Sequence, residues 1–220
     1  MSSEFSDDPM GSTYADEDQL RIEAVLSFWF RETALSAPQI DQRMDVWFGE
    51  DDDFDREIAE YFATDVERAS QGELDHWAES ARGRLALILL LDQFRRNIFR
   101  NSAEAFSMDA AALKLCVEGA VAKMDDGLTP IQRVFFYMPL QHSESHKVQT
   151  KSVALFNKLA DAVSPTYKET FLTVAHFAEL HHDIVAQFGR FPHRNRVLGR
   201  ENTAEEEEYL SGDAPDFGQS

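Results

Sequence analysis

Four short runs of this chain carry the residue types from which a binding or catalytic site could be built. The first is Gly189-Arg190-Phe191-Pro192-His193-Arg194-Asn195-Arg196, where three guanidiniums, an imidazole and an amide follow a helix-stopping glycine and proline. Forked arginine donors suit carboxylate or phosphate, and Asn195 can both donate and accept. The plain alternative is that Arg190, Arg194 and Arg196 tie the acidic parts of the fold together. The second run is Asp92-Gln93-Phe94-Arg95-Arg96-Asn97. Asp92 and Arg96 are spaced for an ion pair on one helix face, but Asp92 directly follows three leucines, where burying a carboxylate without a partner is costly. The third is Gln141-His142-Ser143-Glu144-Ser145-His146. His142 and His146 would share a face in a continuous helix, but Ser143 is a better helix cap than an interior residue, so a metal site is not expected. The fourth is His181 with Asp183, on or beside the apolar face of a long helix. A lone histidine there is usually just hydrogen-bonded.

Taken together, the expected site is a polar pocket of Asp92, Arg96, Asn97, His142, Glu144, His181, Asp183, Arg190, His193, Arg194 and Asn195. It would receive a small anionic or zwitterionic metabolite. For catalysis, neutral His142 or His181 is the natural general base near pH 7, oriented by Glu144 or Asp183. Arg190 and Arg194 would clamp the anion. No glycine-rich phosphate loop and no strong metal motif is present, so no cofactor and no metal is expected.

The elements that must position these residues read as helices almost throughout. Leu20 to Phe30, Ile40 to Trp47 and Phe54 to Val66 carry apolar stripes at helical spacing. Ser80 is placed to cap a run reaching Phe99 that is apolar nearly all round and belongs at the centre. Further helices are expected from Ser107 to Gly127, from Thr129-Pro130 to about Pro139, after a Ser143 cap, from Ser164-Pro165 to Gly189, and after the Thr203-x-x-Glu206 capping box. Only Val134 to Met138 has strand composition. About nine helices with short links define an all-α bundle or array of helical hairpins. One domain over residues 16–211 is expected, with acidic disordered tails at 1–15 and 212–220.

Charge narrows the partners. The chain has 220 residues and a net charge of −19, which argues against nucleic acid. Residues 41–80 hold fourteen acids against three arginines, while residues 81–200 hold sixteen basic residues against eleven acidic ones. A mildly basic half therefore lies inside an acidic frame. No apolar run is long enough to span a membrane, and the start lacks the basic and apolar parts of a secretory signal. The single Cys116, in an Ala/Leu-rich run, is expected to be a buried, inert thiol. A cytoplasmic protein is the expectation.

The ordered motifs Val25-Leu26-x-Phe28-Trp29-Phe30, Trp47-Phe48, Asp92-Gln93-Phe94-x-Arg96-Asn97, Pro139-x-x-His142-Ser143-Glu144, His181-x-Asp183 and Gly189 to Asn195 with Leu198-Gly199-Arg200 resemble those of the bacterial family "domain of unknown function 924". The resemblance covers about residues 20–211. It implies stacked, tetratricopeptide-like helix pairs with a concave face, and it brings no established reaction. Arg95 stands where that family usually has proline, and His146 lies outside the motif. A tetratricopeptide-like face commonly captures peptide ends, so an interaction module gripping a peptide carboxylate is the competing reading. A third reading makes the motif residues a buried structural network.

Overall fold

The central helix starts where its cap was expected. Ser80 Oγ accepts the Gly83 N–H, and α4 (Ala81–Ile88) follows. The preceding elements are α1 (Pro9–Phe30), α2 (Ala37–Phe48) and α3 (Asp52–Ser70). These come from a computed structural model that describes residues 9–31, 36–212, 215 and 217. From Leu85 to Leu91 every side chain of the central run is buried. The run does not stay α-helical to its end, as the sequence implied. It widens into a π-helical turn over Leu89–Phe94 before the short α5 (Arg95–Ile98). Such turns are rare and frequent at functional sites, and this one contains Asp92.

The remaining elements are α6 (Asp109–Val121), α7 (Pro130–Gln141), α8 (His146–Ala162), α9 (Lys168–Phe188) and α10 (Ala204–Leu210). Because α4, the π turn and α5 are continuous, the described residues form nine helical rods and no strand, an all-α bundle. Short links make sequential helices antiparallel neighbours, and α8 against α9 is the most extensive pairing. Aromatic rings lock the centre. Trp29, fully buried, meets Phe54, Phe94 and Phe135 at centroid distances of 6.0, 5.5 and 5.4 Å, a geometry that adds to area burial. Cys116 is buried in the same core, and burial pushes its thiol far up, so it is inert as expected.

Several local expectations need correction. Pro139 does not stop α7, which runs two residues further to Gln141; proline deletes one backbone donor, and this close to the end of the helix few later bonds depend on it. Val134 to Met138 is helical in α7, as expected from its place after Thr129-Pro130 and despite its strand composition, and every residue there is buried in the core. Ser143 does not cap α8. It lies in the break between His142, which closes α7, and His146, which opens α8. The two histidines therefore do not share a helix face. At the N-terminus α1 already takes in residues 9–15, part of the expected tail, while residues 1–8 lie outside the described residues. At the other end Phe217 packs against the cluster of Ile184, Val185 and Phe191, so that position is not a free tail. Most other residues after 212 lie outside the described set.

One packing constraint yields a test. Helix propensity alone makes Gly119→Ala stabilising by up to about 1 kcal/mol in mid-helix. Here a Cβ at Gly119 would sit 2.5 Å from Arg84 Cδ and 2.6 Å from Phe136 Cζ. Arg84 is held by the carbonyls of Ala78 and Leu115 and cannot swing away freely. Overpacking of this kind costs about 1–3 kcal/mol. Gly119→Ala is therefore expected to be net destabilising in urea unfolding; a stabilised variant contradicts this packing.

Candidate functional site

The π turn delivers Asp92 to the end of α7. Its carboxylate is fully buried and lies 2.7 Å from Nδ1 of His142 and 3.4 Å from the Arg96 guanidinium, with Gln93 Nε2 donating to its other oxygen. Burial alone would raise the Asp92 carboxyl. The hydrogen-bonded His142 ring, Arg96 and Gln93 outweigh it and hold the carboxyl below its usual range. An ionised carboxylate only accepts, so Nδ1 of His142 carries the proton. His142 itself is pushed down by burial and by Arg96, against the pull of Asp92, and is neutral at pH 7. Its Nε2 then bears a lone pair, with no partner among the described residues.

The His142 residue lines a cavity of about 140 Å³ between α2, the π turn, α5, α7 and α9. This is far more than the ~10–15 Å³ one water needs on the same measure. His181 lines it from α9, its ring 6.1 Å from that of His142. His181 Nδ1 donates to the Phe177 carbonyl at 2.7 Å, so its Nε2 is also a bare acceptor. Burial, aided by neighbouring His142, Arg194 and Arg96, lowers His181 to about 3. Gln141, almost fully buried, also lines the cavity, and its Nε2 has no partner among the described residues. Trp47, Phe48, Met138 and Phe177 supply an apolar side. Among the described residues no three His, Cys, Asp or Glu side chains stand together as a metal site.

The cationic residues are already paired. Arg96 bonds Asp109 Oδ1 at 2.8 Å and the Ala105 carbonyl at 3.1 Å. Arg194 bonds the other Asp109 oxygen and the His142 carbonyl, both at 3.1 Å, and stacks on Phe106 and Phe191. Asn97 donates to Asp55, which Arg100 also engages. The result is a buried chain from His142 through Asp92, Arg96 and Asp109 to Arg194. It pins the His142 ring from its side chain and from its carbonyl at once.

The eleven expected site residues therefore separate. Arg96, Asn97, His142 and His181 line the cavity, and Asp92 stands directly behind His142. Arg194 supports from further back. Glu144 does not orient a histidine: it accepts the Phe191 N–H and a two-pronged contact from Arg200, which keeps its carboxyl low despite burial. Arg190 is clamped by Glu206, and Asn195 is held by Asn202 and Arg200. His193 is lowered to about 2 by burial and by Arg194, and sits beside Phe191. Asp183 is largely exposed and faces His182. In the turn after α9 each of the two expected clamp arginines already has a carboxylate partner, Glu206 for Arg190 and Asp109 for Arg194. Sequence reasoning missed Asp109, which lies unremarked in the expected Ser107–Gly127 helix, and Arg200, noted only within a motif. It also missed Gln141 and Phe217, for which no local signal exists.

An all-helical bundle with a carboxylate-oriented histidine at an internal cavity defines the class of this protein. The chain belongs to the family described as bacterial protein of unknown function (DUF924), whose model matches residues 25–214. Among solved structures it is similar to a protein of unknown function from Agrobacterium tumefaciens, with 36% identity, a TM-score of 0.73, and coverage of 88% of this chain and 99% of that one. No curated protein matches. No helix among the described residues is long and apolar enough to cross a membrane.

Proposed function

We propose that the cavity binds a small zwitterionic or singly anionic metabolite and that His142 Nε2 accepts a proton from it. The observation that carries this reading is the Asp92–His142 pair, whose 2.7 Å bond fixes one tautomer and leaves the other nitrogen of a cavity-lining ring without a protein partner. Buried Asp92 orients the ring and would stabilise an imidazolium if one formed. His181, which also lines the cavity, offers a second acceptor. The charges around the cavity nearly cancel, since Asp55 faces Arg100 and Asp109 faces Arg96 and Arg194. That balance favours a zwitterion or a single carboxylate over a polyphosphate.

The structural-network reading applies to Glu144, Arg190 and Asn195, whose polar atoms are taken up by Phe191, Arg200, Glu206 and Asn202. The test is a thermal-shift panel of amino acids and small carboxylic acids. A ligand at a hundred times its dissociation constant adds about 2.7 kcal/mol, a shift of about 5–10 °C at this size. The shift is expected to vanish in His142→Ala and to survive in Asp183→Ala. A panel silent on the wild-type protein, or a hit indifferent to His142, defeats the proposal.

A further inference from the structure

The cavity has one wall that does not come from the packed helices. Phe217, seven residues beyond the last residue of α10, lines it and stacks on His181 at 3.9 Å between centroids with the rings 28° apart. The same ring meets His193 edge-on at 5.5 Å. Phe191 also meets His181 edge-on, at 5.6 Å, so the imidazole touches two aromatic rings. The backbone of Phe217 is left-handed, with φ of 54°. A bulky non-glycine residue there is strained and persists only where its side-chain contacts hold it. The residue is thus an inserted ring, held by stacking, rather than part of the helical frame.

Resting on the proposed metabolite site, we infer that the seat of Phe217 on His181 is a planar-ring subsite, so that the ligand is an aromatic or heteroaromatic acid and Phe217 occupies its place until it binds. A flat ring on a neutral imidazole gains dispersion and offset stacking without needing a charge. A polar group beside that seat fits what such an acid carries besides its ring: His142, which lines the same cavity, can accept from a hydroxyl or ammonium. Phe217 itself supplies no such polar group from its side chain, so a ring-bearing acid has contacts that the internal ring lacks.

Two measurements on the full-length protein test this. The first follows carbethoxylation of His181 by diethyl pyrocarbonate, mapped by mass spectrometry at pH 7 with exposed His76 as reference. Phe217→Ala is expected to speed His181 modification several-fold, and Phe217→Leu, which refills the space without a ring, to fall between. An unchanged His181 rate in Phe217→Ala overturns the idea that Phe217 covers it. The second compares thermal shifts by benzoate and cyclohexanecarboxylate, acids of similar size that differ in planarity. Benzoate is expected to stabilise Phe217→Ala more than wild type, and cyclohexanecarboxylate to discriminate little. Equal responses to the two acids, or none in a variant whose His181 is accessible, overturn the ring subsite. The metabolite site itself falls only if the wider acid panel is also silent.

Discussion

Acidification from pH 7 to pH 5 is expected to remove roughly 4 kcal/mol of folding stability. His181 and His193 are neutral when folded, lowered to about 3 and about 2 chiefly by burial, with the nearby Arg194 and Arg96 cations acting in the same direction. In the unfolded chain both titrate near pH 6.5. Between those values the unfolded state binds protons that the folded state refuses, so stability falls as pH falls. Above about pH 6.5 both states are neutral and the effect is absent. Each group contributes about 1.4 kcal/mol per pH unit, hence about 2 kcal/mol by pH 5. Depressed Asp92, Glu144 and Glu206 act in the same direction at lower pH, because the unfolded state again binds protons first. At this size the midpoint temperature should drop by roughly 8–16 °C. Calorimetry at the two pH values checks this, and His181→Gln should remove about 2 kcal/mol of the dependence. A midpoint that is flat from pH 7 to pH 5 contradicts the neutral, buried state of these rings.

Removing the Asp92 carboxylate should be the most damaging single change at the site. Asp92→Ala leaves the buried Arg96 cation with only Asp109 and frees the His142 ring from its orienting bond. Breaking a buried pair by deleting one partner costs about 3–5 kcal/mol, or roughly 6–20 °C here. Asp183→Ala, at a mostly exposed carboxylate, should stay within about 0.5 kcal/mol. Urea unfolding measures both. Asp92→Asn separates structural from chemical roles. The amide keeps shape and one acceptor but loses the charge that fixes the His142 tautomer and stabilises its protonated form. A folded Asn variant without ligand response supports proton acceptance by His142. An Asn variant with undiminished response assigns Asp92 to structure alone, and an Ala variant as stable as wild type contradicts the buried network altogether.

Helix existence was legible because it depends on local spacing. The stripe through Val25, Leu26 and Trp29, the Ser80 cap, the Thr203–Glu206 capping box and the Gly189 stop all act within one or two turns, and each is found. The Asp92–Arg96 spacing placed an ion pair correctly for the same reason. Local spacing failed where a global demand changed the helix itself: the central run widens into a π turn at Leu89–Phe94, which brings Asp92 against His142.

At the site, residue type determined what each group could do, and tertiary contact decided which groups were left to do it. Arginines at 190 and 194 are anion clamps by chemistry, but Glu206 and Asp109, 16 and 85 residues away, already hold them. Glu144 and Asp183 were nearer in sequence to the histidines, but the carboxylate that orients His142 is Asp92, 50 residues away. A side chain's pairing depends on what lies within about 4 Å, and in a helical bundle that neighbour is set by how rods cross. The sequence alone therefore determined the helices and the inventory of polar groups. Only the tertiary structure decided that two imidazoles face a cavity, that the arginines are committed, and that Phe217 returns to stack on His181.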